Sequence, residues 1–273
     1  MPKLCVSSSL VNMSTNKENN LVAPEYLSPS SIGTFRQCQL KFKFSKIDGI
    51  PDISGQEAVL GNFVHDVLED LYRLPAELRT QEQAKDIARE QWQKKWSAEA
   101  SALIKSEKEL NRFRWAAWWC IENLWLIENP QKVSPHGMES FVRGEIGGVK
   151  VHGYIDRLSL VNGSATITDY KTGKTPKEAY LDDKFFQLIV YSQLLNSLDI
   201  DVDESSVELF YLKDGVRFAR NVTSEYANQT IELIQQTKEQ IDDCCKTGNF
   251  TTTKSMLCNW CGYKNICPAW NNR

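Results

Sequence analysis

The chain has 273 residues, 41% of them apolar and 25% charged, with 32 basic against 35 acidic side chains and a formal net charge of −3. Such a composition suits a soluble protein with a substantial core and excludes coating of nucleic acid through bulk positive charge, although local basic grooves remain compatible with it. No run of 18 apolar residues occurs, which excludes a membrane-spanning helix, and Met1 to Asn20 lacks the apolar centre of a secretion signal, so a cytoplasmic location is expected.

Residues 1–24 are short on hydrophobic side chains and are expected to be disordered, with residues 25–273 forming a single domain. Ser28 or Ser30 can cap a short helix reaching Cys38, and Gly49, Pro51 and Gly55 mark a loop. From Glu57 to Leu74 the apolar positions Leu60, Val64, Val67, Leu68 and Leu71 recur at helical spacing. The pattern stays helical from about Ala76 to Asn129, so residues 75–130 read as a helical insertion, closed by Pro130 and Pro135. It carries six of the eight tryptophans, Trp92, Trp96, Trp115, Trp118, Trp119 and Trp125. Aromatic residues at helical spacing are mostly core, with one or two rings left for stacking on unpaired bases.

A strand around Glu139 to Ile146 precedes a hairpin made of Val149 to Leu160, the turn Asn162-Gly163 and the return strand Ala165 to Lys171. A helix from Asp183 to Leu198 follows, then strands at Ser206 to Leu212 and Val216 to Val222 joined through Asp214-Gly215. A last helix over Ser224 to Cys245 and an irregular tail, residues 246–273, complete a mixed α/β chain.

Paired positions in a two-residue hairpin sum to a constant, which places Asp156 opposite Asp169, their Cβ atoms roughly 5 Å apart. Leu158, Leu160, Ile167 and Lys171 share that face by alternation. Two opposed carboxylates on a half-buried apolar face repel unless something neutralises them, and a hard divalent cation is the usual solution. The hairpin therefore reads as a metal site with a lysine beside it. Eight cysteines without a secretion signal point to metal or cluster binding rather than disulfides. Cys258, Cys261 and Cys267 end the chain, and by spacing a four-cysteine zinc site is nearly as acceptable as an iron-sulfur cluster.

Gly153-Tyr-Ile-Asp156, the hairpin and Asp169-Tyr170-Lys171 together resemble the PD-(D/E)xK nuclease superfamily. Gly61-x-x-x-His65-x-x-x-Glu69 and Gln187-x-x-x-Tyr191 match the helices that flank this centre in RecB-like nucleases. Cys38 with Cys258, Cys261 and Cys267 is similar to the four ligands of the iron-sulfur exonucleases of the AddB type and of CRISPR adaptation. Gln39 departs from the proline that many relatives carry after the first cysteine.

The resemblance implies a restriction-endonuclease-like core with a helical insertion and a cysteine-cluster tail paired with Cys38. It implies Mg²⁺ or Mn²⁺ held by His65, Asp156, Asp169 and the Tyr170 carbonyl, with Glu145 as an accessory acid. Lys171, its pKa lowered by desolvation, would orient or deprotonate the attacking water, and Gln187 and Tyr191 would position this lysine and the DNA strand. The function implied is DNA exonuclease activity on single-stranded ends, in recombination, repair, CRISPR adaptation or viral DNA metabolism, in the last case in host cytoplasm. No G-x-x-x-x-G-K-[ST] occurs, so unwinding would come from a partner helicase or another recombination or adaptation protein. An endonuclease or flap nuclease on the same scaffold, a non-catalytic iron-sulfur DNA-binding subunit and a zinc-stapled RNA-processing enzyme are the competing readings.

Overall fold

The computed structural model describes residues 21–52, 55–195, 200 and 202–271. Residues 1–20, and with them most of the segment expected to be disordered, lie outside the described residues, as does the expected end of the Asp183 helix at residues 196–199. The packed chain reaches back further than expected. Leu21 and Ala23 lie against the core, and the Leu21 N–H donates to the Cys245 carbonyl at 3.2 Å.

Ser28 caps helix α1 (Pro29–Gln37) through a reciprocal pair, its hydroxyl accepting from the Ser31 N–H at 3.1 Å while the Ser31 hydroxyl accepts from the Ser28 N–H at 2.8 Å. Cys38 is extended and ends that helix, then opens α2 (Gln39–Phe42), which continues as a π turn over Lys43–Ile47. The long helix α3 (Gln56–Arg73) buries Val64, Val67, Leu68 and Leu71 as its periodicity predicts. The insertion is broken into α4 (Gln81–Gln91), α5 (Ser97–Leu103), α6 (Glu107–Glu122) and α7 (Leu124–Ile127), with a π turn at Trp92–Trp96.

The sheet runs in order β1 (Pro135–Ile146), β2 (Val149–Val161), β3 (Ser164–Lys171), β4 (Glu204–Tyr211) and β5 (Val216–Asn221). β1, β2 and β3 form an antiparallel meander. Asn162 and Gly163 turn the second hairpin with φ of 50° and 78°, the left-handed pair that a two-residue loop of this twist requires. Helix α8 (Leu181–Leu195) then crosses over so that β4 lies parallel to β3, and β5 returns antiparallel. Helix α9 (Ser224–Thr247) follows, and the tail is a set of short 3₁₀ turns ending in α10 (Pro268–Asn271).

Alternation along the strands splits the core between the two sheet faces. Ile167, Val207 and Leu209 join Phe185, Leu188 and Ile234 on one face, whereas Tyr170, Phe210 and Leu212 join α3 and the insertion on the other. The insertion is thus half of the core rather than an appendage. Arg157, buried in the second half, lies over the rings of Tyr72, Tyr170 and Phe210, donates to Glu128 at 3.0 Å and to Thr168 at 3.1 Å, and ties the insertion to the sheet.

Candidate active site

The hairpin register follows the constant sum through Arg157↔Thr168 and stops one pair short of the two aspartates. The reason lies in β2. Residues packed toward α8 are odd-numbered up to Ile155 and even-numbered from Leu158, so the alternation breaks at Asp156. β1 creases at the same level, where Glu139 adopts a φ of 45°. Asp156 therefore turns out of the ladder, and its Oδ2 accepts from the Tyr170 N–H at 2.8 Å. Both carboxylates are buried, at 8% and 3% exposure for Asp156 and Asp169.

Two constellations meet at this crease. In the first, His65 of α3 places Nδ1 3.5 Å from Glu139 and 3.6 Å from Asp156, while its Nε2–H donates to the Tyr170 carbonyl at 2.9 Å. Ligand atoms of His65, Glu139 and Asp156 lie within 4.8 Å of one another, an N/O donor set that can hold a divalent cation. Gly61, one turn before His65, lies beside the loop after β3, and a Cβ there would stand at ordinary contact distance, 3.4 Å, from Thr172 Oγ1. Glu69, at the other end of the same motif, pairs with Arg73 instead of the centre.

In the second constellation, Lys171 Nζ lies 2.9 Å and 2.6 Å from the two Asp169 oxygens, and the Gln187 amide donates to Asp169 Oδ1 at 3.1 Å and to the Tyr191 hydroxyl at 3.3 Å. Gln187 thus holds Asp169, not Lys171 as expected, and Tyr191 bonds to Gln187. Tyr191 also presses on β2, where a Cβ on Gly153 would meet its ring at 2.4 Å. The tyrosine ring fills the space that a side chain at position 153 would occupy.

Electrostatics couples the groups. Burial alone would lower the His65 pKa, but Asp156, Glu139, Asp169 and the Tyr170 carbonyl raise it from 6.5 to about 9. Burial and the neighbouring Asp169 push Asp156 up to about 7. For Lys171, burial pulls downward and Asp169 outweighs it, so its pKa stands above the usual lysine value, the reverse of the expected depression. Burial also raises the Tyr191 phenol.

Glu139 was not legible as a site residue. Glu145, the expected β1 acid, pairs across the ladder with Lys150 toward the far end of the hairpin, away from the aspartates. The useful signal was register: Glu139 lies between Met138↔Arg157 and Ser140↔Ile155, level with Asp156.

The four predicted cysteines converge separately. Cys38, Cys258, Cys261 and Cys267 are free and line one cavity of about 170 Å³, together with Lys41, Lys264 and Trp270. The Ser255 N–H donates to Cys258 Sγ at 3.4 Å, which lowers that thiol's pKa. Among the described residues no three of these sulfurs lie within 4.8 Å of one another, wider than the roughly 3.8 Å between sulfurs in a tetrahedral zinc site. Gln39 takes up the departure noted above: its side-chain oxygen accepts from the Thr251 N–H at 3.0 Å and hydroxyl at 2.7 Å, tying α2 to the tail. Tyr263 adds a buried ring and donates to the Ile50 carbonyl at 2.8 Å.

Comparison with known proteins accords with this geometry. The Gene 69 protein of Mycobacterium phage D29 is 24% identical over 276 aligned residues, 89% of this chain and 96% of the relative. The Gene 69 protein of Mycobacterium phage L5 is 28% identical over 129 residues, and there the match spans 46% of this chain and 42% of the relative's length. The crystal structure of a candidate exonuclease from Eubacterium rectale superposes with a TM-score of 0.56 at 14% identity, covering 98% of this chain and 94% of the other, a likeness of fold. The profile of the PD-(D/E)XK nuclease superfamily matches residues 26–268, and the chain belongs to that superfamily.

Proposed function

We propose that the protein is a metal-dependent DNA exonuclease acting on single-stranded ends, and the observation that carries this reading is Asp156, Asp169 and Lys171 assembled at one crease with His65 and Glu139. A divalent cation, Mg²⁺ or Mn²⁺, would be held by Asp156, His65 and Glu139 with Asp169 and the Tyr170 carbonyl adjoining, and when bound it supplies charge neutralisation on the phosphate and a more acidic water. Lys171, kept protonated by Asp169, orients the attacking water and stabilises negative charge on the phosphoryl oxygens. Gln187, itself bonded to Tyr191, fixes the Asp169 carboxylate that holds this lysine.

The preference for single strands is supported by a groove of about 700 Å³ leading from the loop after Lys171. Arg112, Lys174 and Lys213 outnumber Glu57 and Glu109 in its lining, beside Trp119, which is 57% exposed. A few cations and a stacking ring suit an unpaired strand, whereas gripping duplex demands many phosphate contacts. Of the six insertion tryptophans, Trp96 is buried and Trp115 and Trp119 are the exposed ones.

The convergence of Cys38, Cys258, Cys261 and Cys267 on one cavity supports a [4Fe-4S] cluster held by these four thiolates, which would join the two ends of the chain around the nuclease core. Among the described residues no helix is long and apolar enough to cross a membrane. A cytoplasmic setting, a helicase or recombination partner and a role in repair, CRISPR adaptation or phage DNA metabolism complete the reading.

The test incubates end-labelled linear single strands, duplexes and closed single-stranded circles with Mn²⁺. Linear single strands degraded fastest, with circles spared, is the expected result. Equal rates on circles and lines would move the reading to an endonuclease. Anaerobic purification should yield brown protein with about four irons per chain, and stoichiometric zinc without iron would overturn the cluster.

A further inference from the structure

The outer half of the β1–β2 hairpin carries a row of aromatic rings that core formation does not explain. Phe141 and Tyr154 are cross-strand partners whose ring centroids lie 5.2 Å apart, yet they are 50% and 57% exposed. Phe141 continues at 6.1 Å to His152, which stacks on Tyr26 at 5.9 Å and an interplanar angle of 7°. The guanidinium of Arg143 stands 4.0 Å over the Tyr26 ring and Lys150 Nζ 5.5 Å from it, with Glu25 2.8 Å from Lys150, so the row ends in two cations and one carboxylate, a net positive charge. The opposite face of the same half-hairpin is buried through Val142, Val151 and Ile155, and Leu27 bonds to its edge, so the exposed rings stand on a rigid support.

The row begins at the candidate metal centre. Glu139 and Phe141 are two residues apart on β1, and Asp156 and Tyr154 are two apart on β2, which puts the ring pair roughly 7 Å along the strands from the carboxylates. That is about two steps of a stacked strand at 3.4 Å each.

We propose that Phe141, Tyr154, His152 and Tyr26 form a base-stacking platform that seats an unpaired DNA strand one or two nucleotides from the bond to be cut. This rests on the nuclease reading above. Bases present their faces to the rings regardless of sequence, and the backbone runs toward Arg143 and Lys150. The platform therefore selects strands whose bases are unpaired and sets the register of the scissile phosphate over Asp156.

The test measures binding of a fluorescein-labelled oligodeoxythymidylate by anisotropy, with Ca²⁺ in place of the catalytic cation, alongside cleavage of the same strand with Mn²⁺. Both side chains are surface-exposed, and thermal melting checks that each variant is folded. Phe141→Ala and Tyr154→Ala should each weaken binding about 5- to 100-fold, with the loss appearing in KM, and Phe141→Trp should bind as wild type. An abasic strand of equal length should bind wild type and the alanine variants alike. Alanine variants that bind oligodeoxythymidylate within about twofold of a cleaving wild-type protein would overturn the platform and leave the nuclease reading intact. Equal losses on the abasic strand would likewise overturn stacking. A wild-type protein that neither binds nor cuts any strand would overturn both.

Discussion

Gly153→Ala probes the site through packing alone. Gly153 sits in extended backbone on β2, opposite Val142, where an alanine is ordinarily tolerated and would gain about 0.4–1 kcal/mol by restricting the unfolded chain. Its new Cβ, however, would stand 2.4 Å from Tyr191 Cε1, 2.7 Å from Oη and 2.9 Å from Cζ, and Tyr191 is buried at 5% exposure. Overpacking of this kind costs about 1–3 kcal/mol. The net expectation is a loss of about 1–2 kcal/mol, a fall in melting temperature of a few degrees at ~2–4 °C per kcal/mol for a chain of this size. Displacing Tyr191 also disturbs Gln187 and hence Asp169, so turnover should fall more than stability does. The assay is thermal melting together with single-turnover cleavage, repeated in a Tyr191→Ala background. There the obstruction is gone, and Gly153→Ala should become neutral or stabilising, a change of sign that a general strand effect cannot produce. A Gly153→Ala protein as stable as wild type, or the same penalty in both backgrounds, would refute the reasoning.

Three further outcomes follow from the site. Lys171→Ala should lower turnover by about 10²–10⁴-fold and also reduce stability, because it strips the buried Asp169 of its cationic partner; undiminished turnover in clean protein would remove Lys171 from the mechanism. Glu139→Gln should weaken Mn²⁺ binding by about tenfold or more in calorimetry, since one of three convergent ligands loses its charge, and unchanged affinity would exclude Glu139 from the centre. In EDTA, stability should fall as pH rises: the His65 pKa is raised from 6.5 to about 9, so its contribution is complete below about pH 6.5 and is lost by about pH 9, at most about 3 kcal/mol. Asp156, raised to about 7, acts in the same direction below neutrality, and a melting temperature flat from pH 6 to 9 would contradict the coupling.

Much of the fold was written in local pattern. The apolar spacing of α3, the Ser28 cap, the Asn162-Gly163 turn and the alternation of β3 each depend on residues near one another in the chain, so backbone geometry and side-chain period determine them directly. The same holds for the candidate residues themselves. Hairpin arithmetic brought Asp156 into the range of Asp169, whose charge acts on it; spacing marked the three tail cysteines, and the family resemblance added Cys38, which the fold brings to the same cavity.

What tertiary structure decided was how those residues point and what they touch. The paired creases at Glu139 and Asp156 interrupt the two-residue period, so a rule built on unbroken alternation placed Asp156 in the ladder and overlooked Glu139. Whether Gln187 reaches Asp169 or Lys171 depends on how α8 seats against β2, where Gly153 admits the ring of its neighbour Tyr191. The sign of the Lys171 shift could not be read from the chain either. It results from desolvation opposed by a carboxylate in contact, two large terms whose difference is set by distances that only the folded packing establishes.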